Sequence, residues 1–225
     1  MKRLLIVLLL VFMVACTRTS CDQFDQVADR DDCYFEQARD SGNGEFCSSI
    51  KTSLVRDSCT AEFAILDDTL ETCSTLSDQA RNFCTAKIAI QREDDTLCGQ
   101  LDSAYWYDIC YYDVSLSTSN HETCLKVALP KTQDKCYREI AQNTLNWSTC
   151  KFVVNETFSD HCIKNIAEDL LDPAICEKTN AVVIGDACLI KIARKTNNAS
   201  ICPRISFYQI KRSCENELGM VTLEE

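Results

Sequence analysis

The sequence predicts an all-α fold, a solenoid-like array of about eight disulfide-stapled helical hairpins with about 26 residues per repeat. Three observations predict it. From Cys21 to Cys214 the cysteine intervals read 12, 14, 12, 14, 11, 14, 12, 14, 12, 14, 12, 14, 12, 14, 12, so one unit recurs with a single one-residue slip. Apolar and small residues recur at helical spacing after the second cysteine of each short interval. Turn-forming residues gather inside the short intervals themselves.

The leader comes before the array. Met1, Lys2 and Arg3 form a basic head, and residues 4–14 are an unbroken apolar run. At about 1.5 Å per residue the run covers little more than half of roughly 30 Å of hydrocarbon, so residues 1–15 read as a signal peptide and not as a membrane span. Ala15 followed by Cys16 resembles the lipobox of prokaryotic lipoproteins, with Met13 where that motif usually has leucine. The resemblance implies acylation of Cys16, which becomes the first residue of a lipidated tether over residues 16–20. Stable anchoring then needs two or more acyl chains on that residue.

Setting Cys16 aside leaves sixteen of the 17 cysteines. In the oxidising compartment of an exported chain, pairing across the short interval uses all of them: Cys21 with Cys33, Cys47 with Cys59, Cys73 with Cys84, Cys98 with Cys110, Cys124 with Cys136, Cys150 with Cys162, Cys176 with Cys188, and Cys202 with Cys214. Pairing across the longer interval strands Cys21 and Cys214, while bridges between successive units stay open as the alternative. A continuous helix would separate residues 12 apart by about 18 Å, whereas a disulfide needs Cα atoms roughly 4.4 to 6.8 Å apart. The chain must therefore reverse inside each pair. The reversals are expected at Lys51, Thr52 and Ser53, at Ser77 and Asp78, at Asp102 and Ser103, at Pro130 and Lys131, at Asn155 and Glu156, and at Asn180.

On the far side of each turn the fourth and fifth residues after the second cysteine read Phe63 and Ala64, Ile88 and Ala89, Val114 and Ser115, Ile140 and Ala141, Ile166 and Ala167, Ile192 and Ala193. This is the face of a longer helix, with a small residue where a neighbouring helix comes close. After each first cysteine the third residue is Ile50, Leu76, Leu101, Val127, Val153 or Ile205, expected one helical turn beyond the sulfur, and Thr179 alone breaks the column. Asp172 before Pro173 reads as an N-cap followed by proline at the first helical position. Asp57, Asp108, Asp134, Asp160 and Asp186, each two residues before a second cysteine, are expected to put negative charge near the start of the longer helix. Polar links such as residues 41–44, 117–120 and 196–198 end the longer helices. The repeat domain spans residues 21–218, with a C-terminal tail over residues 219–225. A hairpin this small buries too little apolar surface to hold itself, so cystines and neighbours both contribute.

The pattern D-x-C-x-x-x-I-A followed by D-P-x-I-C-E-K, found at residues 160–167 and 172–178, resembles the cysteine-paired tandem helical repeats of uncharacterised, mostly archaeal, secreted or lipoprotein-like chains. The resemblance covers roughly residues 21–218, is closest over residues 136–214 and weakest over residues 33–47. It implies the architecture and brings no catalytic residue and no ligand.

Composition narrows function by exclusion. The chain holds 34 acidic against 23 basic residues; two of the basic ones, Lys2 and Arg3, lie in the leader, so the remainder carries 21 against 34, a net of −13. Such a surface offers no basic stripe to nucleic acid or to anionic lipid headgroups. Close cysteine pairs of the zinc type and the redox Cys-x-x-Cys are both missing, so neither a metal nor a cofactor is expected. His121 and His161 fall in different units. Acidic pairs such as Asp67 and Asp68, Asp94 and Asp95, and Glu168 and Asp169 read as solvated helix ends. No phosphate-binding loop or nucleophile elbow is present, and no enzyme is expected.

One stretch departs from the repeat. Tyr105, Trp106, Tyr107, Tyr111 and Tyr112 place five aromatics within eight residues, and one helix cannot turn all of them inward. With Asp102, Asp108 and Asp113 beside them, they form a candidate patch for a protein or glycan ligand; two or three rings filling a core gap is the structural alternative. Asn146, Asn155 and Asn198 stand in glycosylation sequons within expected turns. The function expected is thus a non-enzymatic, extracytoplasmic binding or scaffolding module, held at the cell membrane or envelope by its lipid. The alternatives are a passive cystine-rich envelope protein and, more weakly, an extracytoplasmic thiol-disulfide redox protein.

Overall fold

A computed structural model describes residues 20–219. The expected signal peptide over residues 1–15, the expected acylation site Cys16 with residues 17–19 of the expected tether, and residues 220–225 lie outside the described residues. Every regular element among the described residues is helical. The expected fold class is found: eight hairpins, each a short helix, a turn and a longer helix, joined by one disulfide.

The longer helices are α1 (Val27–Ser41), α2 (Ser53–Leu66), α3 (Asp78–Arg92), α4 (Ala104–Thr118), α5 (Pro130–Thr144), α6 (Glu156–Leu170), α7 (Val182–Thr196) and α8 (Tyr208–Glu217). Their short partners are Cys21–Gln23, Gly44–Ser49, Leu70–Ser74, Cys98–Gln100, Thr123–Lys126, Trp147–Phe152, Pro173–Cys176 and Ala199–Arg204. All eight disulfides follow the short interval, with Cα separations between 5.5 Å and 5.8 Å, which removes the alternative of bridges between units.

Two sequence expectations need correction. Most of the short arms are 3-10 and not α-helical, because they run for only three to six residues and close on i to i+3 bonds. The third residue after the first cysteine therefore does not sit one helical turn up. It leaves the helix in extended conformation, as at Ile50, Val127 and Val153, while its N–H bonds the cysteine carbonyl at 3.1 or 3.2 Å. Its side chain is buried at the bend. Ser53, Asp78, Pro130 and Glu156 are likewise not turn residues but the first residues of α2, α3, α5 and α6, with Lys131 second in α5, and at the first position proline's missing N–H costs no bond.

The described chain falls into two compact units, residues 20–84 and residues 85–219, with the boundary inside α3. In the first unit Ala38, Cys47, Ile50 and Cys59 are buried, with Tyr34, Phe35, Phe46, Val55 and Phe63 packed against them. In the second, one continuous core runs from Ala141 to Cys214, and the expected helix-face columns fill it: Ile166, Ala167, Ile192 and Ala193 are all fully buried. Cystine sulfurs and short aliphatic side chains share these cores. At about 1.5–3 kcal/mol for each fully buried aliphatic residue, no hairpin holds enough of them to fold by itself.

Each link between hairpins is a fixed two-residue device. The longer helix ends in a left-handed residue, in turn Gly42, Asp68, Glu93, Ser119, Leu145, Leu171 and Asn197, with φ between 49° and 65°. The next residue sends its N–H back to the carbonyl of the recurring small residue: Asn43 to Ala38, Thr69 to Ala64, Asp94 to Ala89, Asn120 to Ser115, Asn146 to Ala141, Asp172 to Ala167 and Asn198 to Ala193, at 2.8–3.1 Å. In six of the links the side chain of that same residue then bonds the backbone just ahead of it, and Asn43, Asn146, Asp172 and Asn198 thereby cap the following short helix. The Oδ1 atoms of Asn43, Asp94, Asn120, Asn146, Asp172 and Asn198 each accept from the N–H two residues on, at 2.8–3.1 Å. The Asp172 cap expected from sequence is one member of this column.

The aspartates before the second cysteines do something the sequence reading did not foresee. They do not serve their own helix. Asp134 lies inside the first turns of α5, buried, and its two carboxylate oxygens accept from the backbone N–H groups of Val154 and Asn155 in the turn of the next hairpin, at 2.8 and 3.2 Å. The same bridge joins Asp31 to Lys51 and Thr52, Asp108 to Ala128 and Leu129, Asp160 to Asn180 and Ala181, and Asp186 to Ser206 and Phe207. Asp57 is half-buried and reaches Ser77, in the hairpin shortened by one residue, at 3.2 Å. Farther along the longer helices, ion pairs add rungs: Arg39 with Glu62 in the first unit, Glu168 with Lys191 and Arg194 with Glu217 in the second.

Thr179, the exception in the apolar column, has a physical reason. In hairpin 6 Ser159 Oγ donates to the Cys150 carbonyl at 2.9 Å, and in hairpin 5 Gln133 Nε2 serves the carbonyls of Cys124, Leu125 and Val127. Hairpin 7 has Gly185 at that position, and Thr179 Oγ1 takes over the role on the Cys176 carbonyl at 2.9 Å. A Cβ on Gly185 would lie 2.7 Å from Thr179 Oγ1 and 3.1 Å from the Cys176 oxygen. Gly185→Ala is therefore expected to lower stability by about 1–3 kcal/mol. Gly185→Ser with Thr179→Val, which rebuilds the hairpin 6 arrangement, should regain most of the loss. Urea unfolding of both variants tests this, and a neutral Gly185→Ala would refute the steric argument.

Candidate binding surface

The aromatic run lies on α4, where successive residues turn by about 100°, so five rings within eight residues point to different sides. The structure accordingly splits the five rings. Tyr111 and Tyr112 are buried and leave the candidate patch: they fill the space that the structural alternative assigned to them. Tyr107 meets Tyr111 edge-on at 4.7 Å and Lys126 lies 5.4 Å from the Tyr111 ring. Burial, with Tyr107 and Asp95 close by, pushes the Tyr111 hydroxyl up to about 12. The Tyr112 hydroxyl donates to Glu139, with Lys135 over the ring at 4.7 Å.

What remains for a ligand is Tyr105, 63% exposed, with Trp106 edge-on beside it at 5.2 Å and Tyr107 half-buried. Tyr105 and Tyr107 line an open groove of about 530 Å³ together with Leu101, Ala104, Ala128 and Leu129. The turn of hairpin 5 closes the far wall, and it stands there because Asp108 holds the N–H groups of Ala128 and Leu129. Asp108 is thus a fixed part of the wall and not a free carboxylate for a ligand. Asp113 is half-buried, and burial raises its pKa against the pull of Lys87 and Lys135. Asp102 is the exposed acid at the rim. Sequence reasoning missed Leu101 and Leu129 as lining residues, since neither belongs to the aromatic run; the recurrence of aspartate two residues before the second cysteine was the signal that places the hairpin 5 turn against α4.

In the first unit a second groove of about 510 Å³ is lined by Phe35, Arg39, Ser58, Glu62, Ile65, Leu66 and Phe83. Its charges are already matched: Arg39 donates to both Glu62 oxygens and stacks on Phe35 at 4.4 Å. The sequons are accounted for structurally. Asn146 and Asn198 belong to the N-cap column, and Asn155 caps α6 by accepting from Phe158 at 3.1 Å. All three are exposed, each with its Oδ1 engaged.

The sixteen cysteines of the array are all in disulfides, and all but the half-buried Cys33 are buried. His121 packs on Phe152 at 5.1 Å and His161 is exposed. Among the described residues there is no group of three or more histidine, cysteine, aspartate or glutamate side chains arranged to hold a metal ion, and no helix long and apolar enough to cross a membrane. The eight cystines fit an oxidising, extracytoplasmic compartment. This is a cysteine-rich, disulfide-stapled helical-repeat protein. Comparison with protein-family models, curated proteins and solved structures found no match to the chain.

Proposed function

We propose that the chain is a non-enzymatic binding or scaffolding module, held at the extracytoplasmic face of a membrane by acylated Cys16, that takes a protein or glycan partner at the Tyr105 groove. The observation that supports it is the groove itself: an exposed ring and two leucine-bearing walls on a frame fixed by cystines and buried carboxylates. Such a rigid frame spends little ordering entropy on association. Amphipathic aromatics of this kind supply much of the binding energy at interfaces and stack equally well on sugar rings. A passive envelope spacer has no use for an open apolar groove.

The test is photo-crosslinking from position 105 in the native envelope, alongside glycan-array binding of the mature chain. A defined partner or glycan retained by the wild type is expected to be lost at least tenfold in Tyr105→Ser combined with Leu129→Asp, two exposed changes that leave the cystines intact. Equal retention by both proteins, or no specific ligand from either, would leave the passive envelope role. Mass spectrometry of native Cys16 tests the anchor separately: a diacylglyceryl group is expected, and an unmodified cysteine refutes it.

A further inference from the structure

The aspartate bridges line up the turns of successive hairpins along one edge of the second unit, since each turn is bonded to the first turns of the longer helix before it. Along hairpins 6 to 8 this edge is apolar and exposed. Val154, Phe158, Val182, Val183, Phe207 and Tyr208 are between 45% and 74% exposed. In the turn segments 154–158, 180–184 and 206–210 the one charged residue is Glu156. The cations beside the edge are placed on its rings: Arg138 lies 4.9 Å from the Phe158 centroid, and Arg212 lies 6.0 Å from that of Tyr208 while donating to its hydroxyl at 2.6 Å.

We infer that this edge seats on a lipid bilayer, its six apolar side chains entering the headgroup region and the guanidinium groups of Arg138 and Arg212 meeting lipid phosphates. The inference rests on the membrane-anchored reading for its setting, and on the edge alone for its chemistry. Tyrosine and phenylalanine prefer the membrane interface, where the ring is buried and the polar tip stays wet. At the surface of this edge the two arginines complement phosphate, while the carboxylates of Asp134, Asp160 and Asp186 behind the turns are buried and bonded to backbone N–H groups. Deep insertion is excluded by Glu156, so the contact is interfacial.

The probe is a phosphatidylcholine vesicle, and the protein is the mature chain carrying Cys16→Ser, so that no acyl group contributes. The oxidised chain is expected to co-sediment with the vesicles. Val183→Asp with Phe207→Asp should lower the bound fraction roughly tenfold or more, equivalent to at least about 1.4 kcal/mol. Both positions are exposed, and unchanged circular dichroism and eight cystines by mass confirm that the fold survives. Tyr208→Trp should show emission quenched by brominated lipid. No sedimentation, or equal sedimentation of the two proteins, overturns the inference, as does a dimer in sedimentation velocity that the same pair of substitutions abolishes. Failure of the anchor is separate: an unmodified native Cys16 with vesicle binding retained refutes the anchor alone, and acylated Cys16 with no binding by the Cys16→Ser chain refutes the edge alone.

Discussion

Asp31→Ala is expected to destabilise the first unit by about 3 kcal/mol at neutral pH, a large effect for one side chain. Asp31 is 1% exposed, and its two oxygens accept from Lys51 and Thr52, both at 2.8 Å. Truncation loses two charge-assisted bonds and leaves backbone N–H groups at the start of α2 without their acceptor. The pH dependence has a definite sign. Burial by itself raises the pKa of this carboxyl, but the bonds from Thr52 and Lys51, with Arg30 nearby, outweigh it and hold the group below its ordinary value of 3.8. A group with a lowered native pKa gives stability that is complete above its unfolded-state pKa, near 3.9, and is lost as pH falls through the native value. Urea unfolding of wild type and variant should therefore differ by about 3 kcal/mol at pH 7 and by progressively less as the pH is lowered below about 3.9, down to the lowest pH at which both still fold. A gap that stays constant down to that pH would show that the ionised carboxylate is not what holds the turn.

Removing the disulfide between Cys150 and Cys162, as the double alanine variant, is expected to cost about 3 kcal/mol, the scale for closing a loop of this length. The packing consequence adds to the chain-entropy one, since both cysteines belong to the continuous core of the second unit. In an array whose hairpins contact only their neighbours, one weakened member uncouples those on either side. Thermal unfolding of this variant should show two transitions where the wild type shows one, followed by circular dichroism and differential scanning calorimetry. A single transition shifted as a whole would mean that the second unit is held together by more than nearest-neighbour contacts.

The periodic features of the fold were legible in the sequence because they answer to local rules. Paired cysteines that a continuous helix would hold about 18 Å apart dictate a reversal, and the columns from Ile88 and Ala89 to Ile192 and Ala193 are one helix face repeated. The partners of the aspartates were not legible. Asp134 and Val154 are 20 residues apart, and nothing in the local pattern around Cys136 distinguishes a carboxylate serving its own helix from one turned toward the next hairpin. The 3-10 character of the short arms was hidden for a related reason: three to six residues carry too little periodicity to separate 3-10 from α. The aromatic run drew attention to the right helix and the wrong rings. Tyr111 and Tyr112 read identically to Tyr105 in sequence, and only the packing of neighbouring hairpins decides which is covered.

Every disulfide joins a cysteine to the next one in the chain, 11 or 12 residues away. For a polypeptide threaded across a membrane from its N-terminus, this has a kinetic meaning. The partner of each hairpin's first cysteine is the next thiol to emerge, and two thiols so close in sequence meet within tens to hundreds of nanoseconds, so the native partner is the one at hand whenever an oxidant acts. Bond formation itself takes seconds or more, the time in which a further hairpin is made. Where oxidation keeps pace with export, hairpins are sealed in order of arrival, and the combinatorial search that burdens other cystine-rich proteins is replaced by a queue.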